Sequence, residues 1–377
     1  MRIDFHGSPE PTLGVEWEFA LVDRRTRDLR NDAAHLFARA KPRMPDPGKL
    51  HKELLKNTVE VVTGICHTVG EAVDDLRDTL QYVTAAADDL DLDLYGAGTH
   101  PFASWSGQQL SEGNRYQELI NRTQWWGRQM LIWGVHVHVG VPEKKRVMPV
   151  LSALLTYYPH LQALSASSPI WNGTDTGYAS NRALMFQQLP TAGLPFQFET
   201  WEEFERFAHD QITTGVIDEL SEIRWDLRPA IAHGTIENRV CDGVSTLTDM
   251  KALVALMHCL VVWLDGRAAA GEKLPTMPPW HVQENKWRAA RYGVDAIIIQ
   301  DAESHERLVT EDLAELIPKL QPTAERLGCE EELASVLQIP VRGASYVRQR
   351  AVAESTGGDL VAVVDSVVSE LRAELDQ

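Results

Sequence analysis

The stretch Gly14-Val15-Glu16-Trp17-Glu18-Phe19-Ala20 alternates two acids with apolar residues near the start of the chain. As a β-strand it places Glu16 and Glu18 on one face and the apolar side chains on the other. We expect the apolar face to pack on the core. A solvated strand face is the ordinary explanation for two such carboxylates, so this pair alone does not indicate a binding site.

Two later segments repeat the pattern with complementary chemistry. His136-Val137-His138 puts two imidazoles on one strand face, and Glu237-Asn238-Arg239 puts a carboxylate and a guanidinium on another. Each has a simpler interpretation by itself, namely histidines satisfied within a sheet and a weak surface ion pair. Together, the three segments predict the walls of one site for metal ions and phosphate groups.

The acids of these strands suit a hard divalent cation. Mg²⁺ prefers carboxylate oxygens, with water and phosphate oxygens in the remaining positions. Zinc sites instead favour clustered Cys and His at local spacings. An arginine beside a metal-binding acid can hold the phosphoryl group that the metal also contacts. The candidate ligands are Glu16, Glu18, Glu60, Glu237 and His136, with Arg239 as the phosphate contact.

Glu53 and Glu60 pose a problem of strand phase. They are seven positions apart, so a single straight strand would place them on opposite faces. Either a break near Lys56-Asn57 resets the phase, or Glu60 alone faces the site.

Composition and charge narrow the class of protein. The chain of 377 residues allows one large domain or two coupled ones. Its net charge of −18 argues against a nucleic-acid partner, because phosphate backbones require a basic surface. No signal-like segment stands at the start, and the most apolar run, at 253–264, is too short to span a bilayer. We expect a cytoplasmic protein with no membrane partner. Its scattered cysteines are expected to be reduced and packed.

The predicted elements indicate an α+β fold, because strands able to pair antiparallel come first and helices gather in the second half. A capping box at Thr68-Val69-Gly70-Glu71 begins a long amphipathic helix. The polar segment 167–198 is a candidate substrate loop. Other predicted helices cover 144–166, 200–211, 246–270, 283–292, 304–327 and 359–375, and other strands cover 92–98, 131–141, 222–228 and 234–241.

The order of these motifs resembles that of the glutamine synthetase and glutamate–cysteine ligase superfamily. More narrowly, Gly14-Val15-Glu16-Trp17-Glu18-Phe19, Gly98-Thr99-His100-Pro101 and Asn285-Lys286-Trp287-x-Ala289-x-Arg291-x-Gly293 resemble the type 2 glutamate–cysteine ligase family of carboxylate–amine ligases. The helical part at about 300–377 carries no such motif and is assigned to packing within a single domain, 1–377.

The resemblance implies a glutamine synthetase-like fold, in which helices back a curved antiparallel β-sheet and the concave face holds ATP and two or three Mg²⁺ or Mn²⁺ ions. Arg239 would contact the transferred phosphoryl group. His138 would lie near the nucleotide phosphates or the substrate rather than bind metal directly. A homodimer is also suggested. The implied ligand sets are Glu18 with Glu53 and Glu60, and Glu16 with His136 and Glu237.

Further arginines are candidates for anionic groups, because the guanidinium fork matches a carboxylate. Arg228, at the end of a strand, and Arg182, in the polar loop, are the candidate substrate contacts. Arg288 and Arg291 follow Glu284 by four and seven positions. They are either phosphate contacts for the nucleotide or an ordinary helix face with i,i+4 pairing.

The implied reaction joins a carboxylate to an amine at the expense of ATP. Phosphoryl transfer to the γ-carboxylate of glutamate would form an acyl phosphate, which an amine such as cysteine would attack, as in thiol biosynthesis of the glutathione kind. Two alternatives are a phosphotransferase of the guanidino-kinase type on the same fold and a regulatory protein that binds metal or nucleotide without turnover.

Overall fold

Strand β1 (Leu13–Asp23), which contains the alternating acids, lies within the main β-sheet. The structure is a computed structural model and describes residues 2–376. The other strands in that range are β2 (Leu50–Lys52), β3 (Thr58–Val62), β4 (Leu92–Tyr95), β5 (Gly134–Gly140), β6 (Ile170–Trp171), β7 (Thr174–Asp175), β8 (Leu227–Ala230), β9 (Thr235–Asp242), β10 (Ile297–Ile299) and β11 (Glu306–Leu308).

The main sheet has seven strands, and its neighbours pair antiparallel in the order β2-β3-β1-β5-β9-β8. β4 pairs with the second half of β1, on the same side as β5. Two short hairpins, β6–β7 and β10–β11, lie apart from this sheet. β8 is an edge strand, and it therefore accommodates Pro229, which has no backbone N–H to donate.

Helices alternate with the strands and make up most of the chain after β11. This arrangement, with an antiparallel sheet, confirms the predicted α+β class. In chain order the helices are α1 (Ala33–Ala40), α2 (Val69–Asp88), α3 (Asn114–Thr123), α4 (Trp125–Arg128), α5 (Lys144–Leu154), α6 (Tyr158–Ser165), α7 (Arg182–Phe186), α8 (Trp201–Thr213), α9 (Leu247–Ala269), α10 (Pro279–Tyr292), α11 (Val309–Leu327), α12 (Glu330–Ser335), α13 (Gln338–Arg342), α14 (Ser345–Ser355) and α15 (Leu360–Leu375).

The apolar face of β1 packs on the core, as its alternation predicts. Val15, Trp17 and Phe19 are almost completely buried. The main hydrophobic core includes residues from Ile3 to Leu371, and helices α2, α6 and α9 contact the sheet. This packing leaves the opposite face of β1, which bears the two acids, available for a site. That one domain spans 1–377 stays a prediction.

Helix α9 explains the most apolar run of the sequence. It is long and apolar enough to cross a membrane by length and composition, but 78% of its apolar window is buried inside the protein. It packs against α2, α5, α11 and α12. Its composition is therefore that of a core helix surrounded by other helices.

Local sequence signals place several helix ends correctly. At the start of α2, the hydroxyl of Thr68 accepts from the N–H of Glu71 at 3.1 Å, and the carboxylate of Glu71 accepts from the N–H of Thr68 at 3.4 Å. The predicted capping box is thus confirmed. Helices α9 and α15 also begin within a residue of their predicted starts.

Other predicted elements differ from the structure near prolines and short strands. The helix predicted at 144–166 is broken at residues 155–157, between α5 and α6, where Pro159 in the first turn of α6 has no N–H to continue the hydrogen bonds of α5. The helix predicted at 304–327 begins only at Val309, because residues 306–308 pair with 297–299 as a hairpin. The strand predicted at 222–228 begins at Leu227.

His100, in the turn after β4, is buried in a neutral form. Its Nε2–H donates to the carbonyl of Arg27 at 2.8 Å, and its Nδ1 accepts from the N–H of Ala103 at 3.0 Å. Because Nδ1 is an acceptor, the ring carries a single proton. Burial lowers the pKa of His100 to about 4.

We predict that His100 makes folding stability depend on pH. Below pH 6.5 the histidine of the unfolded chain, with a pKa of about 6.5, binds a proton, whereas the folded one stays neutral. The contribution of His100 to the free energy of unfolding is therefore complete above pH 6.5 and is lost as the pH falls towards 4. The full effect is about 3 kcal/mol. Urea unfolding at pH 7.5 and 5.0 measures the free energy of unfolding. Its decrease between the two pH values should be smaller for His100→Asn than for the unaltered protein. The exposed His209→Asn variant is the control, and equal losses in all three proteins would contradict the prediction.

Candidate metal and substrate site

Cross-strand pairing brings the predicted acids and imidazoles to one face of the main sheet. Residues directly opposite each other in an antiparallel pair project to the same side, within reach of one another. β1 is the common partner of β3 and β5, and β5 in turn pairs with β9. The opposed pairs are Glu16 with His136, Glu18 with Glu60, and His138 with Glu237.

A β-bulge in β9 aims Arg239 into the site. Val135 pairs with Cys241, but Val137 pairs with Asn238, so two residues of β9 oppose the single residue His136. In a regular strand, Cys241 would share the face of Arg239. The extra residue turns Cys241 into the core and leaves the guanidinium on the polar face.

A break between β2 and β3 brings Glu53 to the same face as Glu60. β2 ends at Lys52, β3 begins at Thr58, and the intervening turn includes Lys56 and Asn57. The first of the two alternatives for these acids is therefore confirmed. The backbone N–H of Leu54 donates to Glu53 Oε2 at 3.2 Å, which helps to fix the carboxylate.

Three overlapping groups of side chains are close enough to share metal ions. In each group, one ligand atom from every member lies within 4.8 Å of the others. All six predicted metal ligands occur in these groups, and His138 joins them. The groups are Glu18 with Glu53 and Glu60, Glu16 with Glu60 and His136, and Glu16 with His138 and Glu237.

The grouping differs from the implied one at Glu237 and His138. Glu237 lies with His138, its direct cross-strand partner, rather than with His136. The reason is Arg239, whose Nη1 donates to Glu237 and lies 3.4 Å from Nδ1 of His136. His138, expected near phosphates or substrate, is instead placed among potential ligands. Its Nε2 lies 3.2 Å from Glu16, next to Gly14, which has no side chain to intervene.

Electrostatics divides the acids into two sets. Burial raises the pKa of Glu18, Glu53 and Glu60, and the neighbouring carboxylates raise that of Glu60 further. Burial acts in the same direction on Glu16, but hydrogen bonds with the two histidines outweigh it and lower its pKa. Arg228 and Arg239 do the same for Glu237. In the first set, the neighbouring positive charges are therefore too weak to offset burial.

The donor set fits Mg²⁺ or Mn²⁺. Nε2 of His136 is buried and has no hydrogen-bond partner among residues 2–376. Burial, then the neighbouring Arg239, lower the pKa of His136, which favours the neutral imidazole that metals bind. Carboxylates with one or two imidazoles are hard oxygen and borderline nitrogen ligands, as these ions accept.

A cavity of about 420 Å³ lies over this face. Acids, the His136 imidazole and guanidinium groups all line it. Apolar side chains complete the lining. The charged members are Glu16, Glu18, Glu53, Glu60, Lys52, Arg115, Arg224, Arg228 and Arg239, and the apolar ones include Leu54, Leu119, Ile132, Phe186 and Leu189.

Two of the predicted arginines, Arg228 and Arg239, line the cavity, and both contact the carboxylate of Glu237. Arg228 contacts this carboxylate with two nitrogens, Nε at 2.6 Å and Nη2 at 3.2 Å. Arg239 donates to it through Nη1, and its guanidinium stands 5.8 Å from the ring centroid of Phe186. Such charge-assisted contacts fix both side chains.

Arg182 supports the site from outside the cavity. It is buried, and its Nη1 donates to the carbonyls of Arg239 and Val240, at 3.1 and 3.4 Å, across the β-bulge. A Cβ at Gly134 would overlap the Arg182 guanidinium, so a side chain at this position of β5 would displace it. The structure thus places Arg182 against the β-bulge of β9, outside the cavity lining.

Arg288 and Arg291 also lie outside the cavity. Arg288 donates to Glu284 at 2.8 Å, which is the i,i+4 pairing of the second interpretation. Arg291 donates to the carbonyl of Gly177 and stacks 5.6 Å from the ring centroid of Tyr178. The structure does not bring either residue to the acids.

Sequence reasoning missed Arg115, Arg224 and Phe186 as lining residues. Arg115 lies on α3 and Arg224 in the segment before β8, where no alternation of side chains marks an inward face. Phe186 ends α7, within the segment 167–198 predicted as a substrate loop. That polar composition was the one usable signal.

The chain resembles one family of proteins along almost its whole length. The model of glutamate–cysteine ligase family 2 matches residues 12–366. The chain is 80% identical over 375 residues to a protein of Nocardioides sp. named "Putative glutamate--cysteine ligase 2-3", covering 100% of both. It is 65% identical over 371 residues to one of Mycobacterium sp. (strain JLS) named "Putative glutamate--cysteine ligase 2-1", covering 98% of both.

Solved structures agree in fold. A glutamate–cysteine ligase of Francisella tularensis, solved with AMP, matches with a TM-score of 0.69 at 12% identity, over 99% of this chain and 91% of that one. A bifunctional glutathione synthetase of Pasteurella multocida matches with a TM-score of 0.68 at 13% identity, over 97% of this chain and 53% of that one. These matches confirm the predicted fold class. Since the family match spans nearly the whole sequence, the resemblance of the motifs is also confirmed: the chain belongs to glutamate–cysteine ligase family 2.

Proposed function

We propose that this ligase activates the γ-carboxylate of glutamate with ATP, as an acyl phosphate, and joins it to an amine such as cysteine. One observation carries the proposal: a single cavity is lined both by acids that could bind metal and by guanidinium groups. A carboxylate and a triphosphate are both anionic and repel each other. Metal ions held by the acids, together with the guanidinium groups, would offset this repulsion and let the two substrates approach.

The three ligand groups would hold two or three Mg²⁺ or Mn²⁺ ions. When bound, such ions neutralise charge on the triphosphate and on the group in transfer. Glu18, Glu53 and Glu60 would hold one ion, since neighbouring positive charges offset their burial and mutual repulsion least. Glu16 belongs to the two other groups, so it would bridge them.

Arg239 would contact the transferred phosphoryl group. Its guanidinium remains charged, since burial lowers its pKa but the Glu237 carboxylate outweighs burial and raises it. Contacts with Glu237 and Phe186 hold the group in place before substrates bind. Positioning and charge stabilisation of this kind provide most of the catalysis in phosphoryl transfer.

His138 would act at the border of the metal groups, on a phosphate, on the substrate or as a ligand. Its Nδ1 lies 2.9 Å from the hydroxyl of Thr235, and its Nε2 faces Glu16. These two contacts hold the ring in a fixed orientation. Burial lowers the pKa of His138, but Glu237 and Glu16 outweigh burial and raise it.

The apolar part of the lining would protect the activated carboxylate. An acyl phosphate is hydrolysed if water reaches it, so a ligase must limit access of water to the cavity. Leu119 of α3, Ile132 before β5, and Phe186 and Leu189 around the end of α7 provide apolar cover. The predicted homodimer and cytoplasmic location stay predictions.

We predict that release of ADP requires both an amino acid and an amine. Arg239→Ala and Glu237→Gln should each lower kcat by about 100-fold or more, because they remove charge stabilisation of the phosphoryl group or the ion pair that holds it. Arg77→Ala, a half-buried substitution on α2 outside the cavity, is the matched control. The assay pairs glutamate with a panel of amines and identifies products by mass.

Other outcomes of this screen would favour other functions. ADP release that needs no amine would indicate a phosphotransferase of the guanidino-kinase type. ATP binding with no turnover across the whole panel would indicate a regulatory protein.

We also predict that Mg²⁺ raises the melting temperature. Glu18, Glu53 and Glu60 repel one another in the metal-free protein, and a bound cation removes that repulsion. Saturation at about 100 times Kd gives roughly 2.7 kcal/mol of stabilisation. Glu60→Gln should melt higher than the unaltered protein without metal and respond less to Mg²⁺. NaCl of equal ionic strength is the control, and equal responses to both salts would refute a site here.

A further inference from the structure

The four arginines of the cavity fall into two pairs. Arg228 and Arg239 both contact Glu237. Arg228 is also extensively engaged, because its Nη1 donates to the carbonyls of Ser221 and Ile223 while Nε and Nη2 contact Glu237. Four of its five N–H donors are thus used, and only one N–H of Nη2 is left for a substrate, although the sequence marked Arg228 as a substrate contact.

The second pair, Arg115 and Arg224, makes fewer and longer contacts with carboxylates than the first pair. Arg224 donates to the carbonyls of Glu222 and Pro190, at 3.1 and 3.5 Å, and its Nη2 lies 3.5 Å from the Glu222 carboxylate. The Arg115 side chain makes no hydrogen bond or ion pair within residues 2–376, and it is exposed at the cavity. Both are therefore available to an anion.

These two guanidinium groups line the same cavity as Arg228. Burial lowers the pKa of Arg224, the Glu222 carboxylate opposes this change, and repulsion from Arg115 and Arg228 adds to the effect of burial. A carboxylate in that space would relieve the repulsion, and the guanidinium fork matches its two oxygens.

Helix α3 holds Arg115 over the cavity from two anchored ends. At the first end, the Tyr116 hydroxyl donates to the carbonyl of Lys52 at 3.1 Å, and Lys52 Nζ donates to the carbonyl of Glu112 at 2.9 Å. At the second, Arg122 donates to the carbonyl of Gly215 at 3.1 Å. Arg122 also lies 3.8 Å from the Glu222 carboxylate, which contacts Arg224 as well.

We propose that Arg224 and Arg115 bind the α-carboxylate of the amino acid whose side-chain carboxylate is activated. The site would thus select an amino acid with a free α-carboxylate, and Arg228 and Arg182 would have no direct contact with it. The inference rests on the proposed function for the location of the activated carboxylate, beside Arg239 and the metal-binding acids. Leu119, Phe186 and Leu189 would pack on the aliphatic chain between the two carboxylates.

The test measures binding without turnover. The full chain is saturated with Mg²⁺ and a non-hydrolysable ATP analogue, and calorimetry gives Kd for L-glutamate and for its α-amide, which keeps the γ-carboxylate. We expect glutamate to bind at least 10-fold more tightly than the amide. Arg224→Gln and Arg115→Gln should each weaken glutamate about 10-fold, equivalent to about 1.4 kcal/mol, and change the amide less than twofold.

Two further variants guard against misfolding and general charge effects. Arg224→Lys keeps the charge without the fork and should lose part of the preference for glutamate. Arg128→Gln removes an exposed charge from α4, outside the cavity, and should leave both Kd values unchanged. Melting temperatures identify any variant that fails to fold, and Arg115, on the exposed helix α3, gives an independent reading if Arg224→Gln fails.

Several outcomes would overturn the inference. Equal weakening of glutamate binding and amide binding in the Arg115 and Arg224 variants would show that these arginines do not bind the α-carboxylate. Failure of the unaltered protein to bind either ligand would overturn the inference as well. Weakening of the ATP analogue alone would make the pair a phosphate contact. The proposed function is tested separately. If the protein shows no turnover but still prefers glutamate to its α-amide, and this preference depends on Arg224, the result would support this site and refute the ligase reaction.

Discussion

The whole site depends on the register of β1 against its two neighbours. Glu16 and Glu18 meet an imidazole on β5 and a carboxylate on β3 only because these strands pair antiparallel in one phase. The same phase buries Trp17 on the other side. A shift of one residue would place acids in the core and tryptophan in the cavity, at a cost that no local contact could offset. Core packing therefore fixes the positions of the metal ligands.

The sequence predicted those parts of the site that lie on regular strands. Two-residue alternation identifies Glu16, His136 and Glu237 as inward-facing residues, and the family resemblance added Glu53. The β-bulge at Arg239 was beyond prediction, because it depends on pairing with β5 rather than on any local preference. Arg115 and Arg224 were missed for a similar reason: they come from a helix and an irregular segment whose positions tertiary contacts decide.

The family motif at 285–293 has a structural role in this chain. Asn285 exchanges two hydrogen bonds with the backbone of Ile299, at 2.7 and 2.8 Å. Lys286 is buried against Asp226 at 2.7 Å, and Asp226 also accepts from the hydroxyl of Tyr158. Such a buried, shared carboxylate orders the segment that leads into β8. A recognisable motif can thus support a site from a distance.

Helix α3 differs from the sheet in how it is held. The strands are fixed by ladders and by the core, whereas α3 is anchored mainly by a few polar contacts at its ends and has one fully buried side chain, Ile120. On the proposal above, phosphoryl chemistry belongs to the sheet and choice of the amino acid to this helix and the segment before β8. Evolution or design can therefore exchange the recognition segment while the metal-binding framework is inherited intact.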